Sequence, residues 1–234
     1  MKKLLILVIG VSLATVAFAG YYAYHDYYCC YGHHGYPMPY VRPGFNSVPV
    51  QQAVEMMRSP PPYARVFPQN DTIAFTSNDV TLVVLTMGLH RAENLTNATP
   101  PSYAHHNVFV IYGLINPNIV LPPDARVTAI VVNLDAGDYH NFAVTAEPPP
   151  YPYYLMGPGM MGQGGMMGGY SGGNYYNGTY GFVTMMTLLP PANYTTRTAT
   201  EFTYSFTLPP GTYWYVCTYP GHAQEGMYGK IVAG

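Results

Sequence analysis

From residue 71 to its end, the chain is a succession of short segments rich in Val, Ile, Thr, Tyr and Phe, each bounded by Gly, Pro, Asn or Asp. Strands are expected at 71–77, 80–87, 107–113, 118–121, 126–134, 140–146, 182–189, 201–207, 211–216 and 226–233. Many short strands with turn residues between them can bury their apolar faces only by packing two sheets together or closing into a barrel. No long helical period interrupts them, so a parallel sheet with crossover helices is excluded. The expected fold class is all-β, a β-sandwich. A short helix precedes the strands. Ser47 is its expected N-cap, Pro49 fits the first turn, and Val50, Ala53, Val54 and Met57 make one apolar stripe. The run Ser59-Pro60-Pro61-Pro62 ends it.

Charge is scarce. Asp and Glu number 11 and Lys and Arg 9 in 234 residues, 9% in all, where a soluble domain usually carries roughly 25%. With a net charge of −2 and no basic run beyond the first three residues, a nucleic-acid partner is excluded. Disorder driven by charge is excluded too, because 49% of the chain is hydrophobic and 15% aromatic. No apolar run after residue 20 reaches the ~18 residues that a span needs, which excludes a polytopic membrane protein.

The first 19 residues address the chain outward. Lys2 and Lys3 precede an uncharged apolar run that closes on Ala17-Phe18-Ala19, the pattern of an export signal. The alternative is an uncleaved anchor formed by residues 4–23. Either places the remainder outside the cytoplasm. Five Asn-x-Ser/Thr sequons, at Asn70, Asn94, Asn97, Asn177 and Asn193, fit an exported chain. Residues 20–45 read as a linker rich in Tyr, Gly and Pro; its His25, His33, His34, Cys29 and Cys30 match no closed metal-site spacing. The domain proper is expected at 46–234, with an insert loop at 148–180. No charged side chain lies between Glu147 and Arg197, and residues 151–180 hold ten Gly, seven Tyr and five Met. A loop so long within a compact domain is usually functional or disordered.

The chemistry is concentrated between the last two expected strands. Cys217, His222 and Met227 form a Cys-x4-His-x4-Met loop. Thiolate, imidazole and thioether together are a soft donor set, and copper is the first-row metal that most favours thiolate and imidazole with a long axial thioether. One further imidazole is required, and His140, at the start of an expected strand after Asp138, supplies it. Three other readings fit less well. A buried structural thiol leaves the spacing of His222 and Met227 unexplained. A Cys–His nucleophile pair needs no Met and lacks an orienting group. Zinc rarely takes a thioether. The adjacent pair His105-His106 reads as surface or turn histidines rather than a second site.

These residues resemble the rusticyanin family of blue copper proteins, with the sulfocyanins as close sisters. The resemblance is carried by Gly211-Thr212-Tyr213-Trp214-Tyr215-Val216-Cys217, by Pro220-Gly221-His222-Ala223 and by Gly226-Met227-Tyr228-Gly229-Lys230-Ile231-Val232. It continues in Asn116-Pro117-Asn118-Ile119, Leu121-Pro122, Val132-Asn133 and His140-Asn141-Phe142. It implies a cupredoxin-like Greek-key fold with one copper ion held by His140, Cys217, His222 and Met227. Where that family has Ser after the first His, this chain has Asn141; in other cupredoxins an Asn there braces the copper loop. The resemblance further implies that His222 reaches the surface through an apolar patch and passes the electron, with Tyr219, Pro220 and the Gly/Met-rich loop as candidates for that patch.

The expected function is therefore one-electron transfer in an extracytoplasmic respiratory chain, with a cytochrome or terminal oxidase as partner. Docking is expected to rest on apolar contact, since residues 148–196 carry no charge. The alternative is a copper-storage protein, suggested by Met156, Met160, Met161, Met166 and Met167 and by the His/Cys tail. A copper enzyme would need a second His cluster, and no His-x-His pair occurs.

Overall fold

The computed structural model describes residues 44–155 and 181–234. The expected export signal or anchor, the expected linker up to residue 43 and the Met-rich part of the expected insert lie outside them. Thirteen strands and two α-helices follow one another among the described residues. They are β1 (Asn46–Pro49), α1 (Val50–Met57), β2 (Ala64–Phe67), β3 (Thr72–Phe75), β4 (Asp79–Gly88), α2 (Leu89–Thr96), β5 (Asn107–Ile111), β6 (Leu114–Ile115), β7 (Asn118–Leu121), β8 (Arg126–Asn133), β9 (Ala143–Thr145), β10 (Phe182–Met185), β11 (Thr198–Thr207), β12 (Gly211–Val216) and β13 (Tyr228–Ala233).

They form two sheets, ordered β1-β11-β8-β4-β5-β6 and β10-β9-β12-β13-β7-β3-β2. Both are mixed: β4 runs parallel to β8, and β7 runs parallel to both β3 and β13. One core lies between them. Val84, Val110, Val127 and Val131 come from the first sheet, and Ile73, Ile119, Val144, Tyr215 and Ile231 from the second. This is the cupredoxin-like sandwich expected from the sequence.

Strand β4 departs from the simple alternation of a two-layer sandwich, being buried at seven of its ten positions. The reason is α1, which packs against it, with Ala53 and Met57 fully buried. A strand covered on both faces reads as a continuous apolar run, as Val80–Met87 does here. The apolar stripe expected for α1 is thus the face that covers the sheet. Its cap is not as expected. Ser47 lies in β1, Pro49 occupies the N-cap position, and no side chain caps the helix.

Four short elements, β1, β2, α2 and β6, lie outside the expected ranges. Beside the candidate metal centre, two expected strands are shorter than their sequence pattern. The stretch 140–146 is a strand only at Ala143–Thr145, with His140 in an isolated bridge to Leu189. The stretch 182–189 likewise pairs as a strand only at Phe182–Met185. The physical reason in both places is that side chains, not the ladder, take over the hydrogen bonding next to the candidate metal centre. Among the described residues no helix is long and apolar enough to cross a membrane.

Candidate metal centre

Strand ends at one edge of the sandwich supply the site. Cys217 follows β12 directly, Met227 precedes β13 directly, and His140 stands three residues before β9. Strand β12 pairs with both β9 and β13, so their neighbouring ends bring the distant segments together. Cys217, Met227 and His140 are fully buried, and His222 is 6% exposed.

The two imidazoles turn Nδ1 toward the thiol. His140 Nδ1 lies 3.7 Å and His222 Nδ1 3.5 Å from Cys217 Sγ. The ligand atoms of these three residues all fall within 4.8 Å of one another. A first-row ion bonded at about 2.0 Å to nitrogen and about 2.3 Å to sulfur, with bonds about 120° apart, sets N and S about 3.7 Å from each other. Both N···S separations therefore already match those of two imidazoles and a thiolate bound to one ion. The other ring nitrogen of His140, Nε2, is buried without a hydrogen-bond partner, although the Asp135 carboxylate faces it at 3.8 Å.

Without a metal the same groups share charge. Burial opposes ionisation of Cys217, but the two imidazoles outweigh it and bring the thiol down to about 6. Burial likewise opposes a charge on His140, yet Asp135 and Cys217 push its pKa up to about 9. Asp135, despite its own burial, is held well below the usual carboxylate range by His140 and by the backbone N–H groups of Gly137 and Asp138. The thiolate favoured here is the form of Cys217 that binds a soft metal ion, while His140 must release its proton to bind one.

Side-chain amides hold the segments in place. Asn141 Oδ1 accepts from the Thr218 N–H at 2.8 Å, while its Nδ2 donates to Thr218 Oγ1 at 2.8 Å and to the Met186 carbonyl at 3.1 Å. This is the brace that the resemblance implied for Asn141. Asn133, the last residue of β8, accepts from Thr86 Oγ1 and from the Asp135 N–H. Its Nδ2 lies 2.9–3.0 Å from the carbonyls of Asp138, Leu189 and Pro190, which fixes the loop carrying His140. On the far side Asn116, in the left-handed region at φ 48°, accepts from the Phe109 N–H and donates to the Gly226 carbonyl at 2.9 Å. Gly226 itself sits at φ 97°, and a Cβ there would overlap the Tyr103 carbonyl oxygen. The loop then closes on itself, because the Met227 N–H donates to the His222 carbonyl and the Met227 carbonyl accepts from the Cys217 N–H.

The structure gathers three of the four expected ligands into one cluster and encloses the fourth, Met227, at the end of the same loop. It changes the expectation for His222. The ring does not open onto the surface. Its Nε2 lies 3.3 Å from the Asn107 amide and 3.9 Å from the Asp138 carboxylate, and Tyr219 covers its face. Asn107 is the site residue that motif reading missed. It is 115 positions from His222, and only the β4–β5 pairing carries it to this edge. His105 and His106 are exposed and lie outside the cluster, with His106 3.8 Å from Glu225.

The comparisons agree with this geometry. No family model matches the chain. It is 28% identical over 172 residues to rusticyanin of Acidithiobacillus ferrooxidans, covering 73% of this chain and 75% of that one, and equally so to rusticyanin of Acidithiobacillus ferridurans. In structure it is similar to rusticyanin from Thiobacillus ferrooxidans, with TM-score 0.57 and 21% identity over 82% of this chain and 98% of the other. It is similar to reduced rusticyanin to the same degree, with TM-score 0.57 and 21% identity over 81% and 99%. The chain thus resembles rusticyanin-type blue copper proteins, and its His-Cys-His cluster has the donors of a single type 1 copper site.

Proposed function

We propose that this chain is a one-electron carrier of an extracytoplasmic respiratory chain, in which His140, Cys217, His222 and Met227 would hold one copper ion. The observation that carries the reading is the convergence of two Nδ1 atoms on one buried thiol at 3.5 and 3.7 Å. Copper, when bound there, supplies one-electron chemistry. The chain's own residues do the rest. The Asn133 and Asn141 amides and the closed 217–227 loop fix the donors before any metal arrives, so little rearrangement accompanies a change of oxidation state. Full burial of Cys217 and Met227 excludes water and disfavours added positive charge, which favours the reduced ion. The Asp135 carboxylate faces the outer nitrogen of His140 at 3.8 Å, an electrostatic rather than a hydrogen-bonded contact.

The export signal and the scarcity of charged groups support a location outside the cytoplasm, and a cytochrome or terminal oxidase is the kind of partner such a carrier serves. The storage alternative rests on the Met run and the His/Cys tail, which lie outside the described residues.

The test is a visible spectrum of the copper-loaded protein with metal analysis. One copper per chain and an intense charge-transfer band toward the red are expected, and Cys217→Ser abolishes the band because it requires a Cu(II)–thiolate bond. Several colourless Cu(I) ions per chain would point to storage instead.

A further inference from the structure

The ligand expected to meet a partner is covered, and what covers it is aromatic. The Tyr219 ring lies 4.7 Å from the His222 ring at 43°, and Tyr139 stacks on Tyr219 at 6.4 Å and 14°. Tyr139 is 44% exposed, against 6% for His222. The rings thus run in contact from a metal-ligating imidazole to solvent. The remaining edge of His222 is occupied by Asn107 and Asp138, which are also bonded to each other at 3.0 Å. A second exposed tyrosine, Tyr153, flanks the same loop, but it lies over the backbone of Gly221, where a Cβ would meet its ring at 3.0 Å.

We infer that the electron enters and leaves through the Tyr219–Tyr139 stack, with Tyr139 as the port at the surface and Tyr219 as the bridge to His222. The inference rests on the copper reading above. In the outward direction one electron passes from Cu(I) to an outer-sphere one-electron acceptor. Copper becomes Cu(II), the acceptor is reduced by one charge, no bond forms or breaks, and no proton moves. The two phenols are closed-shell bridges rather than stopping points.

The experiment is stopped-flow oxidation of the full-length Cu(I) protein by tris(1,10-phenanthroline)cobalt(III) at high ionic strength. Tyr139→Ser, Tyr139→Phe and Tyr153→Ser are compared with the unsubstituted chain. Tyr139→Ser is expected to slow oxidation about tenfold, which is about 1.4 kcal/mol in the barrier. Its blue spectrum and reduction potential should stay unchanged. Tyr139→Phe keeps the ring and should keep the rate, and Tyr153→Ser should also match the parent. A Tyr139→Ser rate equal to or above that of the parent overturns the route. So does equal slowing by Tyr139→Ser and Tyr153→Ser, which would mean a general docking patch. A copper-loaded parent without the blue band would overturn the reading beneath the inference, and the inference with it.

Discussion

Met227 is fully enclosed, and its peptide unit is tied on both sides, by the His222 carbonyl and by the Cys217 N–H. Asn116 and the crowded Gly226 hold the residue before it. A thioether placed so firmly makes its effect on the metal testable. Met227→Leu is close to volume-conserving and should cost under about 1.5 kcal/mol in stability. A weak sulfur donor stabilises Cu(II) more than Cu(I), so its loss should raise the reduction potential while copper stays bound. A redox titration reads this directly, and an unchanged or lower potential would remove Met227 from the proposed ligands. At this scale the ligand loop was legible because Cys217, His222 and Met227 lie close in sequence. The groups that orient them were not. Asn107 carries no motif, and Asn116 and Asn133 stand in stretches of resemblance that say nothing of their bonds; their partners lie 2 to 115 positions away, so only the fold reveals them.

Strands read well where apolar residues run on without competition. Asn118–Leu121 and Gly211–Val216 match their expected limits, and β4 and β8 do so within a residue. They fail where side chains compete with the ladder. At 140–146 the Asn141 amide bonds Thr218 and Met186 instead of letting a regular strand start at His140. Strands β1 and β2, four residues each, lack the length for a recognisable period, and α2 buries only Ala92 and so shows no apolar stripe. The turn into β3 carries a separate consequence. Asp71 sits there at φ 50°, its carbonyl accepting from the Asn118 N–H at 2.8 Å. Burial raises its carboxyl from 3.8 to about 6. Between those values the folded chain binds more protons than the unfolded one, so this group's contribution is greatest in acid and is lost as pH rises toward 6. Asp71→Asn tolerates the same backbone and removes the charge. Allowing for the residue's partial exposure, it should add about 1 kcal/mol at pH 7 and almost nothing at pH 3.5, by urea unfolding. An equal change at both pH values would rule out the titration as its cause.

The sandwich as a whole distributes its few charges unevenly, and that decides what can approach the copper edge. From sequence alone, residues 148–196 carry no charge, and docking independent of salt is the natural expectation. Folding brings carboxylates from other segments to the same edge. Asp138 stands 3.9 Å from His222 with 36% of its side chain exposed, and Glu225, on the ligand loop, exposes 51%. Two exposed carboxylates are enough to bias encounter and too few to dominate it. The rate with the cationic tris(1,10-phenanthroline)cobalt(III) should therefore fall less than about tenfold between 0.01 and 0.5 M salt, as the Debye length shrinks from about 30 Å to below about 8 Å. The rate with hexacyanoferrate(III), an anion, should rise over the same range. Glu225→Gln touches no donor atom of the cluster and should flatten both slopes without altering the blue spectrum. Parallel, flat salt profiles for the two oxidants would restore purely apolar docking. A far steeper fall with the cation would mean that charges beyond these two carboxylates govern the approach.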